Sequence, residues 1–292
     1  MPELPEVETV RRGLAAVTRG RSVVAVHVFH DRAVRRQAGG ARSLVDSVTG
    51  SNLLAVARRG KYLWIELDGA GAPALVAHLG MSGQFRTTAT QPDIAHGPSY
   101  RGHERVRFDL DDGSCLSFVD QRTFGWVSSD DWGPEGVPRM VSHVALDPLE
   151  DDFDSALVAA RLRQRHTGVK RALLDQTTLS GVGNIYADEA LWQARIHPAR
   201  ATDHLSRPDA LRLLAEVDSV LRRALEAGGT SFDPLYVNVN GESGWFAREL
   251  NAYGRAGQPC RRCGSAIVKE QVAQRSSYRC PRCQRKPRRP AS

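Results

Sequence analysis

Nowhere does this sequence approach the roughly 18 uninterrupted apolar residues of a membrane span. Its first residues are acidic and proline-containing rather than basic and then apolar, so neither a span nor a secretory leader is expected, and a cytoplasmic protein is. Internal repeats are absent. Cysteine is scarce and unevenly placed: four of the five stand in Cys260-x2-Cys263 and Cys280-x2-Cys283, sixteen residues apart. What remains is ordinary, with 41% hydrophobic and 25% charged residues, a composition that builds real cores. A length of 292 residues exceeds a typical single domain, so two lobes, or two and a small module, are expected.

The net charge of +7 is concentrated at one end. Pro259 to Ser292 holds ten Arg/Lys against one Glu, leaving the rest of the chain near −2. A polyanion partner is the natural reason to gather cations there, although Lys286 to Arg289 alone also fits a solvated, solubilising tail. Two CxxC knuckles in the same segment can present four thiolates to one tetrahedral zinc, whereas disulfides are not expected in a reducing compartment. Cys115, in a strand-like stretch, reads as a buried small hydrophobe.

Along the chain, Pro5 followed by Val7, Val10 and Leu14 makes a short amphipathic helix with proline in its first turn. From Val23 to Phe124 the pattern is of strands, at 23–28, 62–67, 74–77, 106–110 and 115–118, punctuated by Asp68-Gly69 and Asp112-Gly113; two packed sheets are the economical arrangement. Residues 91–103 read as a surface loop, and 133–149, with three prolines, as a linker. The period then turns helical over 153–164, 169–178, 184–194 and 208–227. Between the CxxC pairs, 266–270 and 277–280 suit a hairpin whose turn carries Gln274 and Arg275.

Several residues invite a chemical reading. With the initiator Met removed, the chain would begin with Pro2, a secondary amine of pKa near roughly 8 that can condense with a deoxyribose C1′ to an iminium ion. Glu3 and Glu6 stand close enough to manage protons, but acidic residues in a first helical turn are also ordinary dipole complements. Thr178 to Tyr186, with Gly181, Gly183 and Asn184, forms a tight turn between helices whose opening N–H groups can hold a phosphate; the same glycines suit a plain helix end. Arg275 on a zinc-pinned hairpin could face a nucleic acid, and equally fits a surface arginine. Lys61, opening a strand, reads by itself as solvent-facing.

Together these residues resemble the formamidopyrimidine-DNA glycosylase family along the full length. The carrying motifs are Met1-Pro-Glu-Leu-Pro-Glu-Val-Glu-Thr-Val-Arg-Arg-Gly13, Arg59-Gly-Lys-Tyr-Leu63, His78-Leu-Gly-Met-Ser-Gly83, Gly181-Val-Gly-Asn-Ile-Tyr-Ala187 and the four-cysteine hairpin. The resemblance implies an α+β multi-domain protein. An N-terminal helix and β-sandwich would occupy 1–132, a linker 133–150, and a helical helix-two-turn-helix domain with a base-capping loop 151–250. A zinc finger would follow at 251–284, with a basic disordered tail at 285–292.

By the same similarity Pro2 is the Schiff-base nucleophile, Glu3 the proton donor, Lys61 a group for β-elimination or a phosphate, Arg275 the finger residue of δ-elimination, and Glu6 a supporting carboxylate. His103, Arg122, Arg165 and Asn184 are placed at phosphates or the opposite base, and Lys170 beside the lesion-bearing strand. Met81, Arg122 and Phe124 match a wedge filling the gap left by an extruded nucleotide; without the resemblance, Met81 and Phe124 would be core candidates. Cys260, Cys263, Cys280 and Cys283 would hold one structural Zn²⁺, and the segment from Gly229 to Trp245 resembles the capping loop. The implied partner is duplex DNA with oxidised bases or abasic sites, engaged by a monomer without a membrane.

The implied activity is a bifunctional glycosylase/lyase on oxidised purines in base excision repair. The rivals are an endonuclease VIII-like enzyme acting on oxidised pyrimidines, a non-catalytic damage-binding homologue, and a zinc-finger transcription factor. Leu4 and the full Met81, Arg122 and Phe124 set favour the purine branch. The chain departs from the family pattern at Thr123 and His166.

Overall fold

The computed structural model describes residues 2–88, 102–230, 244–272 and 274–286. The expected loop at 91–103 lies mostly outside these residues, as do most of the capping loop and the end of the basic tail. Contacts divide the chain into a first unit, Met1–His143 with Gly228–Gly244, and a second, Val144–Ala227 with Trp245–Ser292. Among the described residues no helix is long and apolar enough to cross a membrane.

The first unit opens with helix α1 (Leu4–Thr18), which buries Val7, Val10 and Leu14 in the core that the heptad-like spacing anticipates. Two four-stranded antiparallel sheets follow. One runs in the order β1 (Val23–Val28), β6 (Glu104–Leu110), β7 (Cys115–Val119), β5 (Gln84–Thr88). The other runs β2 (Leu53–Arg59), β3 (Tyr62–Leu67), β4 (Ala74–His78), β8 (Trp126–Asp130). Phe85, Val106, Phe108 and Phe118 from the first share one apolar core with Leu63, Ile65, Leu75 and Val127 from the second. Helix α2 (Gly40–Val48) adds Leu44 and Val48. Cys115 is half-buried rather than buried, because it begins β7, where it pairs with Thr88 at the end of β5; its Sγ lies 2.6 Å from Thr88 Oγ1.

The second unit is built on α3 (Ser155–Arg163), α4 (Val169–Leu173), α5 (Asn184–Gln193) and α6 (Arg207–Glu226). Asp154 caps α3 by accepting from Ala156 N and Leu157 N at 2.8 and 3.0 Å, and Ser206 caps α6 by accepting from Asp209 N. The helix expected over 169–178 stops at Leu173. Asp175 Oδ1 accepts from both Thr177 N and Thr177 Oγ1, a local turn that competes with helical bonding. Beyond α6, strands β9 (Val268–Val272) and β10 (Arg275–Arg279) form the expected hairpin, with Gln274 at a left-handed φ of 61°.

The hairpin module is docked on α5 by two consecutive carboxylates. Glu189, 1% exposed, accepts from the backbone amides of Asn251, Ala252 and Tyr253 at 2.8 to 3.0 Å. Asp188, fully buried, holds β10 by accepting from Ser277 Oγ and Tyr278 N. Trp192, one turn on, packs with Cys260, Ile267 and Cys280, and the Arg262 guanidinium lies 3.7 Å from its ring centre.

Candidate active site and zinc centre

Pro2 is buried and immediately precedes Glu3, the N-cap of α1. Glu6 faces back: Oε2 accepts from Glu3 N at 2.8 Å, and Oε1 accepts from Thr230 N at 2.6 Å. The helix terminus favours negative charge there, and both carboxylates are nearly inaccessible, Glu3 1% and Glu6 4% exposed. Gly229, at φ 86°, is needed at this approach, since a Cβ would sit 3.0 Å from Glu6 Oε1. Lys61 occupies the two-residue turn between β2 and β3, where Gly60 takes a φ of 56°. Its charge acts on His78, the last residue of β4. Burial first, then Lys61, Arg35 and Arg36, push the His78 imidazole down to about 4, so it is neutral at pH 7, with Nδ1 accepting from Gly80 N.

Met81, Arg122 and Phe124 stand on two loops fused backbone to backbone. A Cβ on Gly80 would lie 2.4 Å from Gly125 N and Phe124 C. Between the loops sits Asp120, fully buried, with Oδ1 accepting from Ser82 Oγ and Arg122 N and Oδ2 from Gly125 N. Arg35 donates to the Phe124 and Gly125 carbonyls, and Arg32 to that of Thr123. On this frame Met81 and Phe124 are 41% and 44% exposed, so they are not core residues, and Arg122 approaches Met81 Sδ at 3.8 Å. His103 is half-buried beside the same loop and accepts from Asp120 N through its carbonyl.

In the second unit, Asn184 opens α5 and donates through Nδ2 to the Ser276 carbonyl at 2.9 Å. Arg275 is exposed at the start of β10. Arg165 is engaged by Asp175 at 2.5 Å and by Thr178 Oγ1. His166 is exposed and lies 2.9 Å from Asp203. Lys170 departs from the expectation. It has no exposed surface; its Nζ lies 2.7 Å from Asp188 Oδ1 and donates to the Ser276 carbonyl at 3.0 Å. In this arrangement the ammonium is engaged by protein partners on α5 and β10.

The four sulfurs of Cys260, Cys263, Cys280 and Cys283 lie within 4.8 Å of one another. All four are free, and Cys263 and Cys280, with sulfurs 3.4 Å apart, are far beyond a disulfide bond of about 2.05 Å. Tetrahedral zinc with Zn–S bonds of about 2.3 Å sets its sulfurs roughly 3.8 Å apart, and the cluster fits that requirement. The site is a structural zinc site of the zinc-finger type, because four thiolates leave no open coordination position.

Sequence reasoning passed over Asp120, Asp188 and Glu189 as functional anchors. The signal for the last two was present: adjacent carboxylates inside the otherwise apolar Ile185-Tyr-Ala-Asp-Glu-Ala-Leu-Trp192. Comparison with known proteins agrees with the architecture. Residues 1–127 match the family described as formamidopyrimidine-DNA glycosylase N-terminal domain, 144–234 the formamidopyrimidine-DNA glycosylase H2TH domain, and 257–285 the zinc finger found in FPG and IleRS. The chain is 57% identical to a formamidopyrimidine-DNA glycosylase of Salinispora arenicola, covering 99% of this chain and 98% of that one. It is 56% identical to one of Mycobacteroides abscessus, covering 98% of each. Among solved structures, a Lactococcus lactis FPG mutant in complex with DNA containing Fapy-dG superposes with a TM-score of 0.86 at 34% identity, over 98% of this chain and all of that one. With three domain matches in order and full-length relatives at this identity, the chain belongs to the formamidopyrimidine-DNA glycosylase family of enzymes.

Proposed function

We propose that the protein is a bifunctional DNA glycosylase/lyase that excises oxidised purines, 8-oxoguanine and formamidopyrimidines, from duplex DNA. The observation that carries this reading is the cluster of Pro2, Glu3 and Glu6, in which a Pro2 amine freed by loss of Met1 would sit next to two enclosed carboxylates. The nitrogen lone pair attacks C1′ of the extruded nucleotide, the glycosidic bond breaks, and the base departs with a proton. Glu3 is the donor closest to the nucleophile in sequence. The C1′–O4′ bond then opens, O4′ taking up the proton shed by the amine, and the iminium so formed acidifies C2′; loss of that proton expels the 3′ phosphate, and loss of the C4′ proton in a second elimination expels the 5′ phosphate. Lys61 and Arg275 are the groups assigned to those eliminations.

Met81, Arg122 and Phe124 fill the unstacked gap, a task suited to exposed apolar and planar side chains on a rigid frame. Asn184, His103 and Arg165 meet the backbone or the opposite base. Lys170 supports the finger from beneath and makes no DNA contact. Zinc holds the hairpin in shape and takes no part in bond making.

Borohydride trapping on duplexes carrying 8-oxoguanine opposite cytosine, thymine glycol, or no lesion tests the proposal. A covalent adduct is expected on the 8-oxoguanine duplex, mapping to the N-terminal peptide and lost in the Pro2→Gly variant. Preferential trapping on thymine glycol would move the enzyme to the pyrimidine branch. Tight binding with no adduct on any duplex would remove the catalytic reading.

A further inference from the structure

Behind the hairpin tip, the second unit carries an open recess of about 790 Å³ lined by Arg165, His166, Arg171, Asp175, Gln274 and Arg275, among others. Its charges are not all spent. Arg165 is matched by Asp175, and His166 Nδ1 lies within hydrogen-bond distance of Asp203. Arg171 and Arg275 are exposed, and among the described residues neither has a carboxylate partner, so the lining carries about two unbalanced positive charges. Two exposed guanidinium groups lining one recess are like charges that the scaffold beneath them must keep in place.

That scaffold is the enclosed Lys170. It is the chain neighbour of Arg171, and its Nζ donates to the carbonyl of Ser276, the chain neighbour of Arg275. Asp188 fixes the same Nζ from α5 and takes Ser277 Oγ and Tyr278 N as well. The separation of Arg171 on α4 from Arg275 on β10 is therefore set by a contact one residue from each.

We infer that this recess seats a backbone phosphate of bound DNA and that Arg171 is a phosphate ligand working beside Arg275. A phosphodiester is the matching chemical class, since it is an anion whose oxygens accept paired N–H donors from a guanidinium fork. The inference rests on the proposed reading of the chain as a duplex-binding enzyme, and it adds a contact outside the lesion-directed residues. Because a phosphate carries no sequence information, Arg171 adds affinity equally to damaged and undamaged duplex.

The test uses the full-length zinc-loaded protein and fluorescence anisotropy on an undamaged and an abasic-analogue duplex, between about 50 and 200 mM salt. Wild type, R171A, R171E and R42A are compared; Arg42 is a surface residue of α2 paired with Asp46. R171A is expected to weaken both duplexes to the same extent and to reduce the log–log salt slope by about one. Its deficit against wild type then shrinks about three- to fourfold across that salt range. R171E weakens binding further, and R42A overlays wild type. An unchanged slope in R171A overturns the inference. So does inorganic phosphate perturbing the Arg171 side-chain resonance while the DNA slope stays put, which would make the recess a small-anion site only. Borohydride trapping of wild type on a duplex carrying 8-oxoguanine opposite cytosine, run alongside, separates the two readings. A slope that depends on Arg171 without trapping removes the lyase and keeps the phosphate seat, whereas trapping with an unaltered slope does the reverse.

Discussion

Each unit rests its exposed candidate side chains on a fully buried aspartate, and the two are satisfied differently. Asp120, under Met81, Arg122 and Phe124, takes its described hydrogen bonds from neutral donors, one hydroxyl and two backbone amides. Asp188, under Arg275, takes a hydroxyl, a backbone amide and a lysine ammonium that is itself enclosed. The first arrangement joins two short loops of one sheet unit. The second joins elements distant in sequence, α4, α5 and β10. A cation with a long stem reaches across such a junction, and the cost is a second desolvated charge. Burial outweighs the attraction of Lys170 and raises the Asp188 carboxyl to about 6.

The sharpest way to break this comparison is Lys170→Met. It leaves the Asp188 charge enclosed without its counter-ion, and a loss of about 3 to 5 kcal/mol in unfolding free energy is expected near neutral pH. The loss also depends on pH with a defined sign. A carboxyl raised in the folded state holds its proton there to higher pH than in the unfolded chain, so stability falls as pH rises through the window from its unfolded value to about 6. Without Lys170 the folded value climbs further. The gap between variant and wild type should therefore narrow as pH falls from about 9 towards about 6. Denaturant melts across that range decide the point; a gap independent of pH would show that Asp188 is not stranded by the change.

Asp120→Asn strands no buried cation and is expected to cost less, about 2 kcal/mol, the range for hydrogen bonds to a charged acceptor. One carboxylate oxygen becomes an NH2 group, which must face either Gly125 N–H or the Ser82 and Arg122 donors. Thermal melts together with the affinity for an abasic-analogue duplex test it. A loss in stability without loosening of Met81 and Phe124 would mean that the backbone contact at Gly80 alone holds the frame.

The same contrast explains what was legible in the sequence. Strands β1 and β3 were readable to the residue because they are continuous apolar or β-branched runs. Strands β5, as Gln84-Phe-Arg-Thr-Thr88, and β8, as Trp126-Val-Ser-Ser-Asp130, were missed, since each is short and shows little apolar alternation. Helix α2 escaped because it starts from a glycine N-cap with no capping side chain and buries only Leu44 and Val48. At the candidate site, the four cysteines were legible by spacing alone. Pro2, Lys61 and the exposed Met81 and Phe124 were legible only through resemblance to a family, because their setting comes from elements far apart in the chain. The enclosure of Lys170 was illegible for the same reason: nothing local to Val169-Lys-Arg-Ala-Leu173 distinguishes an outward lysine from one enclosed by Asp188 and Ser276.

Thr123 gives the smallest expected effect and the finest test of how the Asp120 frame is held. A β-branched residue at φ 54° is strained, because Cβ crowds the following carbonyl, at roughly 1 to 2 kcal/mol. The frame overrides this strain: Asp120 binds the amides on either side, at Arg122 and Gly125, and Arg32 holds the Thr123 carbonyl at 3.2 Å. Thr123→Gly removes the strain and adds unfolded-state entropy worth about 0.5 to 1 kcal/mol. A net gain of about 0.5 kcal/mol is expected, seen as a rise of about 1 to 2 °C in Tm. If Tm falls instead, the threonine methyl contributes more packing than its strained backbone costs, and the loop carrying Phe124 owes its rigidity to Thr123 as well as to the aspartate below it.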